Sequence, residues 1–267
     1  MTPIKSVGNF SSSEIIALLS MGKVEMTPDE LAARPKSGIG SSVKFKDGGF
    51  GTAAMTYIKQ TNWERRTGRS MSQSSWSKET AWGKMLESRA FDLLGGSYKR
   101  LDMDGSLVHP RIDYWTGTPD GEKYKLLERE KVAEVKCPFT LNSFFTFADC
   151  KDITEVRDKH PDGEKYYWQC ISNACILGIH KAELIIYCPF ESEIEQIIKD
   201  AQFTPDIRTE KWVERCLSSE LPYLIDGKGY SSFIVFGFDI PKADMQYLED
   251  RIIEAGKLLI DRNFTLT

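Results

Sequence analysis

Apolar positions along the chain switch between two periods, and the switching predicts the elements. Residues 53–66 and 79–94 repeat at helical spacing. In the second, Trp82, Met85, Leu86, Phe91 and Leu94 recur, and Gly95-Gly96 closes the run. Residues 141–150 and 164–178 continue the helical pattern, the latter up to Gly178. Alternating or continuous apolar runs predict strands over 106–117, 131–137, 182–188 and 231–239, with 182–188 as a central strand. Pro119-Asp120-Gly121 separates the first two as a turn signal. Helices are predicted over 192–201, 210–218 and, amphipathic, 243–261. Ser11 or Ser13 is placed to cap a helix starting at Glu14, and Thr27-Pro28-Asp29-Glu30 opens a short one. The Gly-rich stretch 35–52 reads as a loop. The order predicts one α/β domain, a central mixed β-sheet flanked by helices.

Composition narrows this to a soluble globular protein. Of 267 residues, 41% are hydrophobic and 28% charged, so neither a disordered nor a fibrous chain fits. No apolar run is long enough to span a bilayer, and Met1-Thr2-Pro3-Ile4-Lys5 lacks a signal-peptide pattern, so a cytoplasmic location with no membrane partner is expected. Six cysteines without a C-x-x-C pair and three isolated histidines argue against a zinc site. The net charge of −4 argues mildly against a nucleic-acid partner. Segment by segment the picture changes. Residues 1–80 carry eleven Lys and Arg against seven Asp and Glu, so the basic excess is local. Arg65, Arg66 and Arg69 cluster at one helix end, where they either contact phosphates or simply suit the helix dipole.

The candidate chemistry lies in Val132-Ala133-Glu134-Val135-Lys136-Cys137-Pro138. On a strand, Ala133 and Val135 share one face, and Glu134 and Lys136 the other. A carboxylate and an ammonium so placed are costly to bury unless partnered or used. Asp120 brought beside Glu134 makes a pair able to hold a divalent cation, while Lys136 orients or deprotonates an attacking water. Glu87, on the helix before, supplies a third carboxylate. Tyr166 and Gln169 share a helix face downstream, where Gln169 can reach a phosphate. Each motif alone has a plain structural reading: a β-turn, a surface strand, a solvated helix. Phe144, Phe145 and Phe147 read as core or a subunit contact rather than a stacking platform.

In this order, Ala81-Trp82-Gly83-Lys84…Glu87, Thr118-Pro119-Asp120-Gly121, Glu134-Val135-Lys136-Cys137-Pro138-Phe139-Thr140 and Tyr166…Gln169 resemble the lambda-exonuclease family of YqaJ-like viral recombinases. That family belongs to the PD-(D/E)XK nuclease superfamily, with a restriction-endonuclease-like core. The resemblance spans roughly residues 10–190. It implies a single exonuclease domain: a DNA-contacting region over 1–80, a catalytic core over 81–190, an insertion over 191–230, and a final strand and helix over 231–267.

The implied activity is Mg2+-dependent 5′→3′ degradation of one strand of linear double-stranded DNA to mononucleotides. It leaves a 3′ overhang for a single-strand annealing protein of the same phage. Two Mg2+ ions per site are implied, with Mn2+ as a substitute, and so is a ring-shaped homotrimer. Asp120, Glu134 and the Val135 carbonyl would hold metal, with Glu87 reaching it through water. Lys136 would hold the water, and Gln169 would sit near the scissile phosphate. Ser13, Thr118 and Tyr166 would contact the 5′-phosphate or the strand. The family's arginine before the first helix is missing, and Lys5 is the nearest cation. Two other readings stay open: an endonuclease or nuclease module of a larger complex, and a non-catalytic DNA-end-binding subunit.

Overall fold

The computed structural model describes residues 6–32, 45–71, 76–101, 105–203 and 206–261. The chain begins with β1 (Phe10–Ser11), a 3-10 turn (Ile15–Leu19), β2 (Met21–Glu25), α1 (Pro28–Ala32), β3 (Phe45–Phe50) and α2 (Thr52–Thr67). It continues through α3 (Lys78–Leu94), β4 (Tyr98–Arg100), β5 (Leu107–Val108), β6 (Trp115–Gly117), β7 (Gly121–Lys125) and β8 (Glu128–Lys136). Three helices follow, α4 (Leu141–Ala148), α5 (Ile153–Lys159) and α6 (Gly163–Leu177), before β9 (Lys181–Tyr187). α7 (Glu191–Ala201), α8 (Ile207–Val213), β10 (Phe233–Asp239) and α9 (Lys242–Gly256) end the chain. No helix among the described residues is long and apolar enough to cross a membrane.

The main sheet has the order β10-β9-β8-β7-β4. β8 and β9 run parallel, joined by the three-helix crossover, and the other pairs are antiparallel. The predicted mixed sheet flanked by helices is therefore present. Both faces of its centre are covered. Val132, Leu184 and Ile186 pack against Ile171 and Ala174 of α6. Ala133, Val135, Ile185 and Tyr187 pack against Trp82, Leu86 and Ala90 of α3 and Ile194 and Ile197 of α7. The segment read as an insertion thus begins with a helix that completes this second face. Glu193 of α7 ties it down by accepting from Arg89 at 2.8 Å and from the Tyr187 hydroxyl at 2.9 Å.

Several expectations change. Residues 106–117 do not form one strand: β5 and β6 pair with each other, and β1 joins β6 in parallel in a separate small sheet. Pro119-Asp120-Gly121 is not a hairpin turn but the entry to β7. A side chain at Gly121 would collide with the Phe91 ring of α3, so this glycine serves close packing. The hairpin turn lies at Leu126-Leu127, both at positive φ (49° and 71°) and both almost fully exposed. Leucine is a poor residue for that backbone, which is why the turn carries no sequence signal. Part of the Gly-rich loop is strand β3, paired with an unpredicted β2. Glu14, not Ser11 or Ser13, precedes the 3-10 turn, with no side-chain cap. Thr27 and Glu30 do form a reciprocal capping box around α1. Phe144 and Phe147 are core residues.

Two contacts seat the N-terminal segment against the sheet. Ser12 Oγ lies 2.8 Å from Ser172 Oγ of α6, which also accepts from the Trp115 indole at 2.8 Å. Arg251, buried on α9, donates to the carbonyls of Leu18 at 2.8 Å and Gly49 at 3.1 Å. These bonds bring Ser11–Ser13 beside the C-terminal ends of β6 and β8.

Candidate active site

Glu134 stands on β8 facing α6 and has no solvent exposure. Its Oε1 accepts from Lys136 Nζ at 2.5 Å and from Gln169 Nε2 at 2.5 Å. Its Oε2 accepts from Asn173 Nδ2 at 3.0 Å. Strand alternation puts Lys136 on the same face, and i, i+4 spacing on α6 stacks Gln169 over Asn173. Asp120 precedes β7 and reaches across to β8, where its Oδ2 accepts the Val135 backbone N–H at 2.8 Å. The register Gly121↔Ala133 places Asp120 beside Glu134. Glu87, on α3, borders the same cleft, with Oε1 3.5 Å from Arg100 Nε.

The three carboxylates disturb one another. Burial pushes Glu134 up to about 8, the negative charge of Asp120 adds to this, and Lys136 pulls the other way. Burial also raises Glu87, again helped by Asp120 and opposed by Arg100 and Lys136. Burial pulls Lys136 down, but Glu134 and Asp120 outweigh it and hold the ammonium above its ordinary value. Lys136 Nζ also lies 5.3 Å from the Tyr166 ring centre. Burial raises the Cys137 thiol beside this cluster, so it stays a thiol.

Among the described residues, no three His, Cys, Asp or Glu side chains gather closely enough to cage a metal. The donors present still suit a hard cation. Asp120 and Val135 line the cleft, Glu134 lies buried beside Asp120, and all three offer oxygen donors, of which the two carboxylates repel each other in the absence of a cation. Mg2+ in particular keeps several waters and takes only one or two carboxylates. The residues therefore fit the implied metal, and Glu87 borders the same cleft.

The cleft has a volume of about 550 Å3 and is also bordered by Lys84, Thr140, Ser143, Lys165, Tyr166 and Ser13. A second pocket, of about 630 Å3, shares Ser13 and Gln169 with it. Hydroxyls line this pocket: Ser11, Ser12, Ser13, Thr61, Ser70, Ser106 and Thr118. Ser13 Oγ lies 3.2 Å from Ser11 Oγ, and Thr118 Oγ1 lies 2.9 Å from Ser106 Oγ. Its described lining contains Glu14 and Glu64 but no Lys or Arg.

Solved structures share this architecture. An alkaline exonuclease from Laribacter hongkongensis, LHK-Exo, matches with a TM-score of 0.52 at 14% identity, covering 95% of this chain and 89% of that one. Its complex with dAMP matches at 0.51 with the same identity and coverage. A phage-related exonuclease from Haemophilus somnus 129PT matches at 0.52 and 14% identity, covering 96% of this chain and 93% of that one. The chain has their fold. No family model matches the sequence, and no curated protein matches it.

Within this exonuclease fold the sequence-predicted residues separate into two groups. Glu87, Asp120, Lys136, Tyr166 and Gln169 line one cleft, Glu134 is buried behind it against Lys136 and Gln169, and Ser13 and Thr118 line the adjoining pocket. The arginines lie elsewhere. Arg65 is spent inside the fold, donating to the carbonyls of Gly8 at 2.8 Å and Ile260 at 2.9 Å. Arg66 is exposed beside an apolar groove with Lys59 and Trp63, and Arg69 is exposed at the end of α2. Lys5 lies outside the described residues. Three residues escaped the sequence reading. Asn173 could have been found one turn beyond Gln169 on the same face. Arg100 and Ser143 carried no signal, because only the fold brings β4 and α4 to the cleft.

Proposed function

We propose that the chain is a Mg2+-dependent exonuclease that removes mononucleotides 5′→3′ from one strand of linear double-stranded DNA. The observation that carries this reading is the fully buried Glu134, held by Lys136 at 2.5 Å beside a fixed Asp120. A buried carboxylate beside a half-buried one, with a single adjoining ammonium, matches the needs of phosphodiester hydrolysis.

Water adds to phosphorus and the P–O bond to the 3′ oxygen of the terminal nucleotide breaks, releasing that nucleotide with a 3′-hydroxyl and leaving a 5′-phosphate on the shortened strand. Asp120, Glu134 and the Val135 carbonyl would hold the cation, with Glu87 as a supporting carboxylate. When bound, it neutralises charge building on the phosphate and lowers the pKa of water. Lys136 orients the attacking water, and its fixed positive charge opposes the negative charge of the reacting phosphate. Gln169 keeps Glu134 in place from α6 and reaches toward the phosphate. The hydroxyl pocket, joined to the cleft through Ser13 and Gln169, is of a kind that receives the 5′-terminal phosphate, with Thr118 and Ser13 as donors. The arginine that the resembling family carries before the first helix is missing from this sequence, so strict dependence on a 5′-phosphate is not expected.

A homotrimeric ring around the duplex, a single-strand annealing protein as partner, and action in the cytoplasm of a phage-infected or prophage-carrying host complete the proposal. Linear duplex labelled separately at each end tests it. Mg2+ should release mononucleotides with the 3′-label retained longest, Mn2+ should substitute, and EDTA should stop the reaction. Early loss of the 3′-label would refute the polarity. Cutting of covalently closed circles would favour an endonuclease, and binding without hydrolysis in either metal a non-catalytic subunit.

A further inference from the structure

Two hydroxyls one turn apart on α4 are used differently. Thr146 donates to the Asn142 carbonyl at 2.8 Å, an ordinary helix back-bond. Ser143 Oγ instead lies 3.0 Å from His160 Nε2. His160 is buried, and its ring stacks on Phe147 at 3.9 Å and 18°. Its Nδ1 accepts the Asp162 backbone N–H at 3.1 Å. A ring nitrogen that accepts carries no proton, so in the neutral imidazole the proton sits on Nε2. Burial holds His160 below its ordinary value, with only Asp162 opposing, which keeps the ring neutral. His160 therefore donates to Ser143 Oγ, and Ser143 keeps its own proton. Among the described residues nothing accepts that proton, and Ser143 borders the acidic cleft. Lys165 borders the same wall from α6, with no ion-pair partner among the described residues.

We propose that Ser143, held by His160, is a DNA phosphate contact on this wall, with Lys165 as its charged companion. Ser143 donates to a non-bridging oxygen of the phosphate next to the scissile one. His160 is a positioning residue that fixes the hydroxyl rotor so that its proton faces the cleft. The cleft is crowded with carboxylates, and a neutral donor aimed at the strand supplies attraction without adding to its ion pairs. This inference rests on the nuclease reading above.

The test compares wild type with S143A, H160F and the double variant, using a 5′-phosphorylated duplex. Affinity is read by anisotropy in EDTA, and KM and kcat in Mg2+. S143A should weaken binding and raise KM about three- to ten-fold with kcat nearly unchanged, and should lower the melting temperature by a few degrees because the buried His160 N–H loses its acceptor. The double variant should bind no worse than the weaker single one, because His160 acts through Ser143. S143T should restore affinity. The slope of affinity against salt should stay the same in S143A and fall by about one in K165Q. S143A binding like wild type, or effects of the two variants that multiply, would overturn the inference while leaving the nuclease reading intact. A wild type that neither binds nor cuts DNA would remove both.

Discussion

Glu134 and Glu183 are buried glutamates on neighbouring strands of one sheet, and the protein treats them in opposite ways. The register Glu134↔Leu184 and Ala133↔Glu183 sends them to opposite faces. Glu183 receives Lys131 at 2.7 Å, Lys123 at 2.9 Å and the Tyr98 hydroxyl at 2.7 Å. Burial raises it, but these donors outweigh burial and hold it below the ordinary carboxylate range. Glu134 has one ammonium and two neutral amides, and faces another carboxylate instead of a second cation. It ends far above that range. Glu183 is thus a completed ion cluster that ties β4, β7, β8 and β9 together. Glu134 is left short of positive charge, which under the proposed function a divalent cation would supply. Burial alone does not mark a functional carboxylate; burial with an unbalanced set of partners does.

The sharpest way to break this contrast is to alter the charge at each site. K136A should lower cleavage by a factor of about 10^2 to 10^4 while leaving DNA binding in place, because it removes the group that orients water. Wild-type turnover by that variant would refute the assigned role. E183Q should cost about 2 kcal/mol of stability in a denaturant melt, since it strands two partly buried lysines. Its turnover at low temperature should match wild type.

The pH dependence separates the two further. Glu134 is raised in the fold, from 4.5 to about 8, so its stabilising contribution is full below 4.5 and is lost as pH rises through 8. Glu183 is lowered, so its contribution is present above its ordinary value and is lost as pH falls below it. Without divalent cations, the melting temperature should therefore decline from pH 5 to pH 8, and E134Q should flatten that decline. The smallest effect belongs to the far end of the β7–β8 hairpin. Replacing Leu126-Leu127 by Asn-Gly relieves two positive-φ leucines and should add about 1 kcal/mol without changing cleavage.

The same contrast explains what could be read from the sequence. Glu134, Lys136, Gln169 and Tyr166 follow from strand and helix periodicity, because local spacing alone decides which side chains share a face. The mixed sheet is legible for the same reason, since an apolar run marks β9 and alternation marks the end of β8. Glu183, in contrast, sits in an apolar run and draws its partners from three other strands, so nothing local marks its ion cluster. Pro119-Asp120-Gly121 has turn composition, but tertiary packing against Phe91 turned it into a strand entry. Spacing leaves Arg65 open as a phosphate contact or a helix-end cation, and in the fold it donates to the carbonyls of Gly8 and Ile260. Those acceptors lie far along the chain, where no spacing rule reaches.

The central claim is that the Asp120–Glu134 pair is an acidic site built to take a divalent cation. The most direct test is the shift in melting temperature that Mg2+ produces at pH 8 in wild type, E134Q and E183Q. Wild type and E183Q should each gain several degrees over their metal-free values, and E134Q essentially none. An unchanged Mg2+ shift in E134Q, or a shift lost only in E183Q, would contradict it.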